Sequence, residues 1–259
     1  MFFDNKGRFL TNLVSKKVIK NSRYYFSLDE EIKNKINLEK IYKNSKKFFN
    51  INFNISINEF EQKINVIKDK LNANDNTKNI LNGFSFPFII PKLDSNDIGL
   101  NIQEKLVPGL VKSYKEKYPN YELQNHIKYD LKGKINCWNN TRYEKIIANS
   151  QERETVGILF PCLNEFSFPA AIEVIDKLPK NFILSGGYEI ISALVGTPES
   201  LFREEKYPPL LWFSSMKNVD DSNISYHLEP YGYNLTLNQR AHLNDAAEYW
   251  WHSISVIDV

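Results

Sequence analysis

Three of the chain's four histidines, His227, His242 and His252, fall in its last quarter, with Asp245 and Glu248 among them. Imidazole and carboxylate groups together could ligate a metal or pass a proton. The spacing does not select either chemistry. No His-Glu-x-x-His occurs, and Glu248 and His252 would share a face only on a helix, whereas the residues around them alternate. His227, His242, Asp245 and His252 are therefore a candidate polar cluster with no metal assigned. Their other reading is surface or packed side chains. Cys162 comes just after a short apolar run, at an expected strand end, where open sheets often carry nucleophiles. Its base is not identifiable, and a buried free thiol is the alternative.

Ser185, Gly186 and Gly187 join an apolar run to a helical pattern. Amides at a helix start with no side chain in the way can hold an anion. The text reads GGYEII, so the third glycine of a dinucleotide loop is missing, and no Gly-Lys-Ser/Thr follows. A tight turn accounts for the same residues. The densest chemical signal is aromatic. Tyr226, Tyr231, Tyr233, Tyr249, Trp250 and Trp251 crowd one region. Amphipathic rings line binding grooves, and they also fill β cores. Tyr226, Tyr231, Tyr233, Arg240, Trp250 and Trp251 form the candidate ligand surface, with Glu229 as a further polar contact.

These residues need elements to hold them. Residues 156–195 carry the clearest pattern, which reads strand, helix, strand, helix: a crossover unit of a largely buried sheet. The first of its strands, residues 156–160, is expected to close at Pro161. Upstream, Ser27-Leu28-Asp29-Glu30 and Ser56-Ile57-Asn58-Glu59 each match a reciprocal helix cap. The first predicts a helix to about Tyr42. The second predicts one that buries Phe60, Ile64, Ile67 and Leu71. Asp4-Asn5-Lys6-Gly7 is the turn of a small hairpin. Residues 23–26 are aromatic and expected to pack. Residues 84–90 read as a strand that Pro87 confines to an edge or bulge. Residues 101–118 read as a helix interrupted by Pro108, 121–134 as one or two strands, and 143–148 as a short helix. Residues 136–141 and 216–223 read as loops. Residues 210–213, 224–228, 235–237 and 248–256 read as strands. The fold class is α/β or α+β, with one mixed-sheet domain (residues 79–259) and a basic, mostly helical N-terminal extension (residues 1–78).

Composition sets the outer limits. The chain has 259 residues, of which 42% are hydrophobic and 25% charged, as in ordinary globular proteins, while aromatics, at 14%, are high. Net charge is +2 but unevenly placed: residues 1–80 hold 16 Lys and Arg against 9 Asp and Glu, a net of +7, and the rest a net of −5. The basic part could meet nucleic acid, or it could be the solvated faces of Lys-rich helices. Two cysteines 25 residues apart make no disulfide framework. No window approaches the ~20 apolar residues of a membrane span, and the N-terminus lacks the apolar region of a signal peptide. A cytoplasmic protein is expected, with no membrane contact and no cofactor legible.

The segments INEFEQKI (57–64), FPFIIP (86–91), GGYEIISALVGTPESL (186–201), PPLLWFS (208–214) and YWWHSISV (249–256) follow one another in an order that resembles a bacterial family of uncharacterised proteins, domain of unknown function 5701. The resemblance spans roughly the last four-fifths of the chain and implies no activity or catalytic residue. The residues themselves point first to a binding protein for a protein or small-molecule partner. A hydrolase or transferase built on the His/Asp or Cys groups, and nucleic-acid binding by the N-terminal helices, are the alternatives.

Overall fold

Capping chemistry sets the first third of the chain. The computed structural model describes residues 1–19, 28, 30–202 and 208–258, and of residues 34 and 35 the backbone alone. Ser27, Asp29 and residues 23–26 lie outside it, so the first expected cap and its aromatic neighbours are not among the described residues. The single helix expected to reach Tyr42 is two: α1 (Glu30–Lys35) and α2 (Leu38–Phe49). Asn37 divides them, because its side chain accepts the Lys40 amide at 2.9 Å and starts α2 afresh. The second cap forms as read. Ser56 and Glu59 bond reciprocally at the head of α3 (Ile57–Asn72), which buries Phe60, Ile64, Ile67 and Leu71.

Next come β1 (Phe86–Ile90), α4 (Ile98–Asn101) and α5 (Val107–Lys117). A wide π-type turn, Ile102–Leu106, joins the two helices directly ahead of Pro108, whose missing N–H and bulky ring forbid a regular α turn there. β2 (Leu123–Asn125), β3 (Ile135–Cys137) and α6 (Glu144–Glu152) follow. The central unit is β4 (Thr155–Asn164), α7 (Phe168–Lys177), β5 (Phe182–Leu184) and α8 (Gly187–Gly196). The chain closes with β6 (Leu210–Trp212), β7 (Met216–Asn218), β8 (Ser225–Tyr231), β9 (Asn234–Arg240) and β10 (Trp250–Ile257).

The fold is α/β with a mixed sheet in the order β1-β4-β10-β6-β8-β9-β2, and β5 pairs with β10 beyond the end of β6. β10 pairs antiparallel with β4 and β5 and parallel with β6. β4 and β5 of the crossover unit are therefore parallel but not adjacent, because β10 lies between them. Pro87 sits on edge strand β1, where a missing donor costs no ladder bond. Pro161 does not close β4. The register of β4 against β10 slips beside it, and the bulge absorbs the proline so that the strand runs on to Asn164. β3 and β7, both read as loop, pair with each other as a two-stranded ladder too short for a period to show.

The two faces of the sheet are covered differently. Ile254 and Val256 of β10 join Phe60 and Ile64 of α3 and Val174 of α7 in one apolar cluster. Trp251 and Ile257 join Leu110 of α5 and Ile190 of α8 in the other. All eight residues of β10 are buried, as a central strand covered on both faces requires.

Candidate functional site

Alternation along β10 sends Trp250 and His252 to the α7 side of the sheet. There they meet Trp212 of β6, His227 of β8 and Phe168 of α7. Ring centroids lie 5.0 Å apart for Trp212–Trp250, 4.7 Å for Trp212–His227 and 4.8 Å for Phe168–His252, all edge to face. His252 is fully buried, and burial pulls its pKa down to about 3. It is neutral, with Nε2–H donating to the Phe166 carbonyl at 2.9 Å. Nδ1 is then the acceptor, and the Ser214 hydroxyl donates to it at 2.8 Å. No substrate can reach this Ser–His pair, since both residues are 0% exposed. Burial likewise lowers the pKa of His227, whose Nε2 stands 3.4 Å from Glu229 Oε1. Arg240 in turn pairs with Glu229 at 3.2 Å and donates to the Tyr249 hydroxyl at 2.9 Å.

The polar cluster expected at His227, His242, Asp245 and His252 thus divides. His227 and His252 are buried against Trp212. His242 and Asp245 are exposed, and Asp245 pairs with Lys17 at 2.6 Å. Among the described residues no three His, Cys, Asp or Glu side chains gather as a metal site. The six residues of the expected aromatic surface also part company. Trp250 is core on the α7 side. Tyr226 is buried on the opposite face, where its hydroxyl accepts from Asn218 at 2.8 Å. Tyr231 and Tyr233, near the β8–β9 turn, are exposed, and Tyr233 meets Tyr121 and Phe202 with centroids 5.2 and 5.9 Å away. A strand shows successive side chains to opposite faces, so neighbours in sequence cannot share one groove. Trp250→Ala is expected to cost about 3–5 kcal/mol, and a chemical denaturation midpoint close to wild type would refute its core role.

The turn at Ser185, Gly186 and Gly187 is occupied from within. The Gly186 amide donates to Glu189 Oε1 at 3.0 Å and the Gly187 amide to Met216 Sδ at 3.2 Å. The Ser185 amide goes to the Ser253 carbonyl at 2.9 Å. The expectation of free amides for an outside anion is corrected: the position at this helix start is taken by the carboxyl group of the chain's own Glu189. A Cβ on Gly186 would stand 2.6 Å from the Tyr143 ring, so packing against that ring is what glycine permits here. Tyr143 donates its hydroxyl to Glu189 Oε2 at 2.8 Å. Burial pushes the Glu189 carboxyl up to about 8 despite these bonds.

Cys162 lies inside β4 rather than after it. It is buried, and burial raises its thiol pKa, so the reactive thiolate is suppressed. The N-terminal lysines are drawn into pairs with acids of the later chain: Lys40 with Glu199 at 2.7 Å, Lys47 with Glu116 at 2.6 Å and Lys63 with Asp258 at 2.5 Å. The charge asymmetry of the sequence folds onto itself.

One expected ligand residue does open onto space. Trp251 lines a cleft of about 370 Å³ between the N-terminal hairpin and the far end of β4. The hairpin is built by Asp4, whose carboxylate accepts the Lys6 and Arg8 amides at 2.9 Å and pairs with the Arg8 guanidinium at 2.8 Å. Gly7 takes φ +79°, and a Cβ there would stand 2.4 Å from the Gly83 nitrogen, so glycine alone allows the hairpin to seat. Phe9 pairs with Phe3 across the hairpin and bonds through its amide to the Cys162 carbonyl at 3.0 Å. Phe9 and Phe166 meet edge to face at 6.3 Å and form part of the wall. Lys33, paired with Glu30 at 2.9 Å, lies over the Phe84 ring at 4.7 Å on another side. Glu165, also in the lining, is buried with a left-handed φ of 66°, a strained setting for a residue other than glycine. Asn164, the cross-strand neighbour of Trp251, has its Oδ1 buried with no donor.

Fold and site together define an α/β protein with a cleft of small-molecule size walled by aromatic rings. No protein-family model, curated protein or solved structure matches this chain.

Proposed function

We propose that this chain is a binding protein whose ligand, a small molecule, occupies the cleft lined by Trp251. The observation that carries the reading is the cleft itself. It has the volume of a small-ligand site, and its described lining joins aromatic residues to charged ones of both signs. The wider aromatic and histidine surface then serves as scaffold, and Trp251 is the part of it that meets ligand. A cytoplasmic setting belongs to the same reading. So does a place in the bacterial family of domain of unknown function 5701, which brings no activity with it. No helix among the described residues is long and apolar enough to cross a membrane.

The test is a thermal-shift panel of divalent metals, nucleosides, nucleotides, sugars and amino acids, since a ligand of the native state raises the midpoint by mass action. A shift of a few degrees with one class is expected, and Trp251→Phe should weaken that ligand about tenfold. A panel that is flat throughout would sink the reading.

A hydrolase or transferase is supported less well, because Cys162 and His252 are buried while His242 and Asp245 are exposed. Nucleic-acid binding is weakened by the lysine pairs above. Salt-dependent retention of RNA or DNA on a filter would revive it.

A further inference from the structure

We infer that Asn82-Gly83 is a self-modification site, at which the chain converts Asn82 to isoaspartate under the direction of Lys33. The inference is independent of what the cleft binds. Asn82-Gly83 is the one Asn-Gly step in the sequence. Glycine has no side chain to shield its nitrogen and leaves the backbone free to turn, so the Gly83 nitrogen can reach the Asn82 side-chain carbonyl carbon. Asn82 is exposed, and its side-chain amide has no hydrogen-bond partner among the described residues. The Gly83 N–H is held by the Ile80 carbonyl at 3.1 Å, the last bond of the short helical turn Lys78–Asn82. Terminal bonds of so short a turn open most readily.

A cation on the reacting peptide sets this step apart. Lys33 of α1 donates from Nζ to the Asn82 main-chain oxygen at 3.0 Å. Glu30 at 2.9 Å and the Phe84 ring at 4.7 Å anchor it there. That oxygen and the Gly83 N–H belong to one peptide unit. An ammonium on the oxygen draws electrons from the nitrogen and stabilises the amide anion that forms when hydroxide takes the proton. The anion attacks Asn82 Cγ. The N–Cγ bond forms, the Cγ–Nδ2 bond breaks, and the side-chain nitrogen takes a proton from water and leaves as ammonia. Water then opens the five-membered imide. Lys33 still lies on the former main-chain carbonyl, so water adds at that carbon and its bond to nitrogen breaks. The chain now runs through the former side chain, and the new carboxylate stands where Lys33 can pair with it. Water is consumed, ammonia is released and nothing is oxidised. The main chain is one methylene longer, at a place without room: a Cβ on Gly7 would already stand 2.4 Å from the Gly83 nitrogen. The N-terminal hairpin must therefore loosen.

The experiment is incubation of the full chain at mildly alkaline pH. Mass spectrometry of the tryptic peptide 79–92 reads the conversion of amide to acid and the share of isoaspartate in the product. Conversion is expected at Asn82 and not at Asn79. The isoaspartate share should be larger in the native chain than in the same chain unfolded in urea, where Lys33 has left the carbonyl. Lys33→Met should slow the reaction roughly fivefold and lower that share, while Lys33→Arg, which still donates to the carbonyl, should keep both. Amides of residues 3–9 should exchange faster with solvent in the converted chain. Unfolding of a variant would speed the reaction, so it cannot mimic the slowing. If Lys33→Met does unfold, the comparison of native with unfolded wild type decides alone. No conversion at Asn82, an isoaspartate share no higher in the native than in the unfolded chain, or a folded Lys33→Met with the wild-type rate and share overturns the inference. Hairpin amides that exchange as slowly as before overturn its last step.

Discussion

Arg142→Ala is expected to lower stability by about 3–4 kcal/mol and the thermal midpoint by roughly 10 °C. The guanidinium of Arg142 closes the C-terminal end of α7. It donates to the Ile175 and Pro179 carbonyls at 2.6 Å and to those of Leu178 and Phe182 at 3.1 Å. A helix ends with carbonyls that lack intrahelical partners and carry its negative pole, and a planar cation with five donors answers both needs. The same group ties the helix end to the start of β5, so its loss loosens the crossover unit rather than one turn. Lysine should not rescue, because its point charge cannot serve four acceptors in a fork. Arg142 sits at φ 61°. Arg142→Gly removes that strain and should be about 1 kcal/mol less harmful than Arg142→Ala. Equal midpoints for wild type and Arg142→Ala in chemical denaturation would refute the clamp.

The second large effect is on pH dependence, where Glu189 and His252 act with opposite signs. Glu189 has its pKa raised from 4.5 to about 8 in the folded chain. The folded state holds a proton that the unfolded state has released. Its stabilisation is complete below pH 4.5 and is lost as pH rises through about 8, at up to about 1.4 kcal/mol per pH unit. His252 has its pKa lowered from 6.5 to about 3. Its contribution is complete above pH 6.5 and is lost as pH falls toward 3. Between pH 4.5 and 6.5 the slopes of Glu189 and His252 oppose each other, and His227, whose pKa burial also lowers, tips the balance, so stability should rise towards pH 6.5. Above pH 6.5 it should fall by about 2 kcal/mol before pH 8. Glu189→Gln should abolish that alkaline fall and move the most stable range above pH 6.5. Below pH 4.5 the lowered carboxyl of Glu229 adds to the acid loss. Urea titrations of both proteins at pH 5.5 and 8.5 decide the matter: parallel pH profiles would show that Glu189 is not the group responsible.

Much of the frame was legible because local chemistry writes it. Ser56 and Glu59 cap α3 as their spacing implies, and Pro87 marks an edge strand. The alternation at 248–256 becomes β10, which spans Trp250–Ile257. The misreadings share a cause. Pro161 looked like a stop, but a bulge in β4 absorbs it. Asn37 looked like helix interior, but its side chain competes for a backbone amide. The ladder of β3 with β7 joins segments some 80 residues apart, and three residues are too few for a pattern.

The site was less legible than the fold. Trp251 was marked for its type and opens on a cleft. Its companions there, Asp4, Phe9, Lys33 and Asn164, carry no signal of their own, because nothing local says that a hairpin at the chain's start will seat beside β4. Trp212, Phe168 and Arg142 went unmarked for the same reason. The sequence by itself determined most of the longer helices and strands, through caps, period and prolines, and that aromatic rings would share the core with Leu and Ile. Only the tertiary structure decided which of those rings meet space. That depends on strand order and register, and on β10 being inserted between β4 and β5. These are long-range pairings whose free energy is shared among residues far apart in the chain, so no single window of sequence contains them.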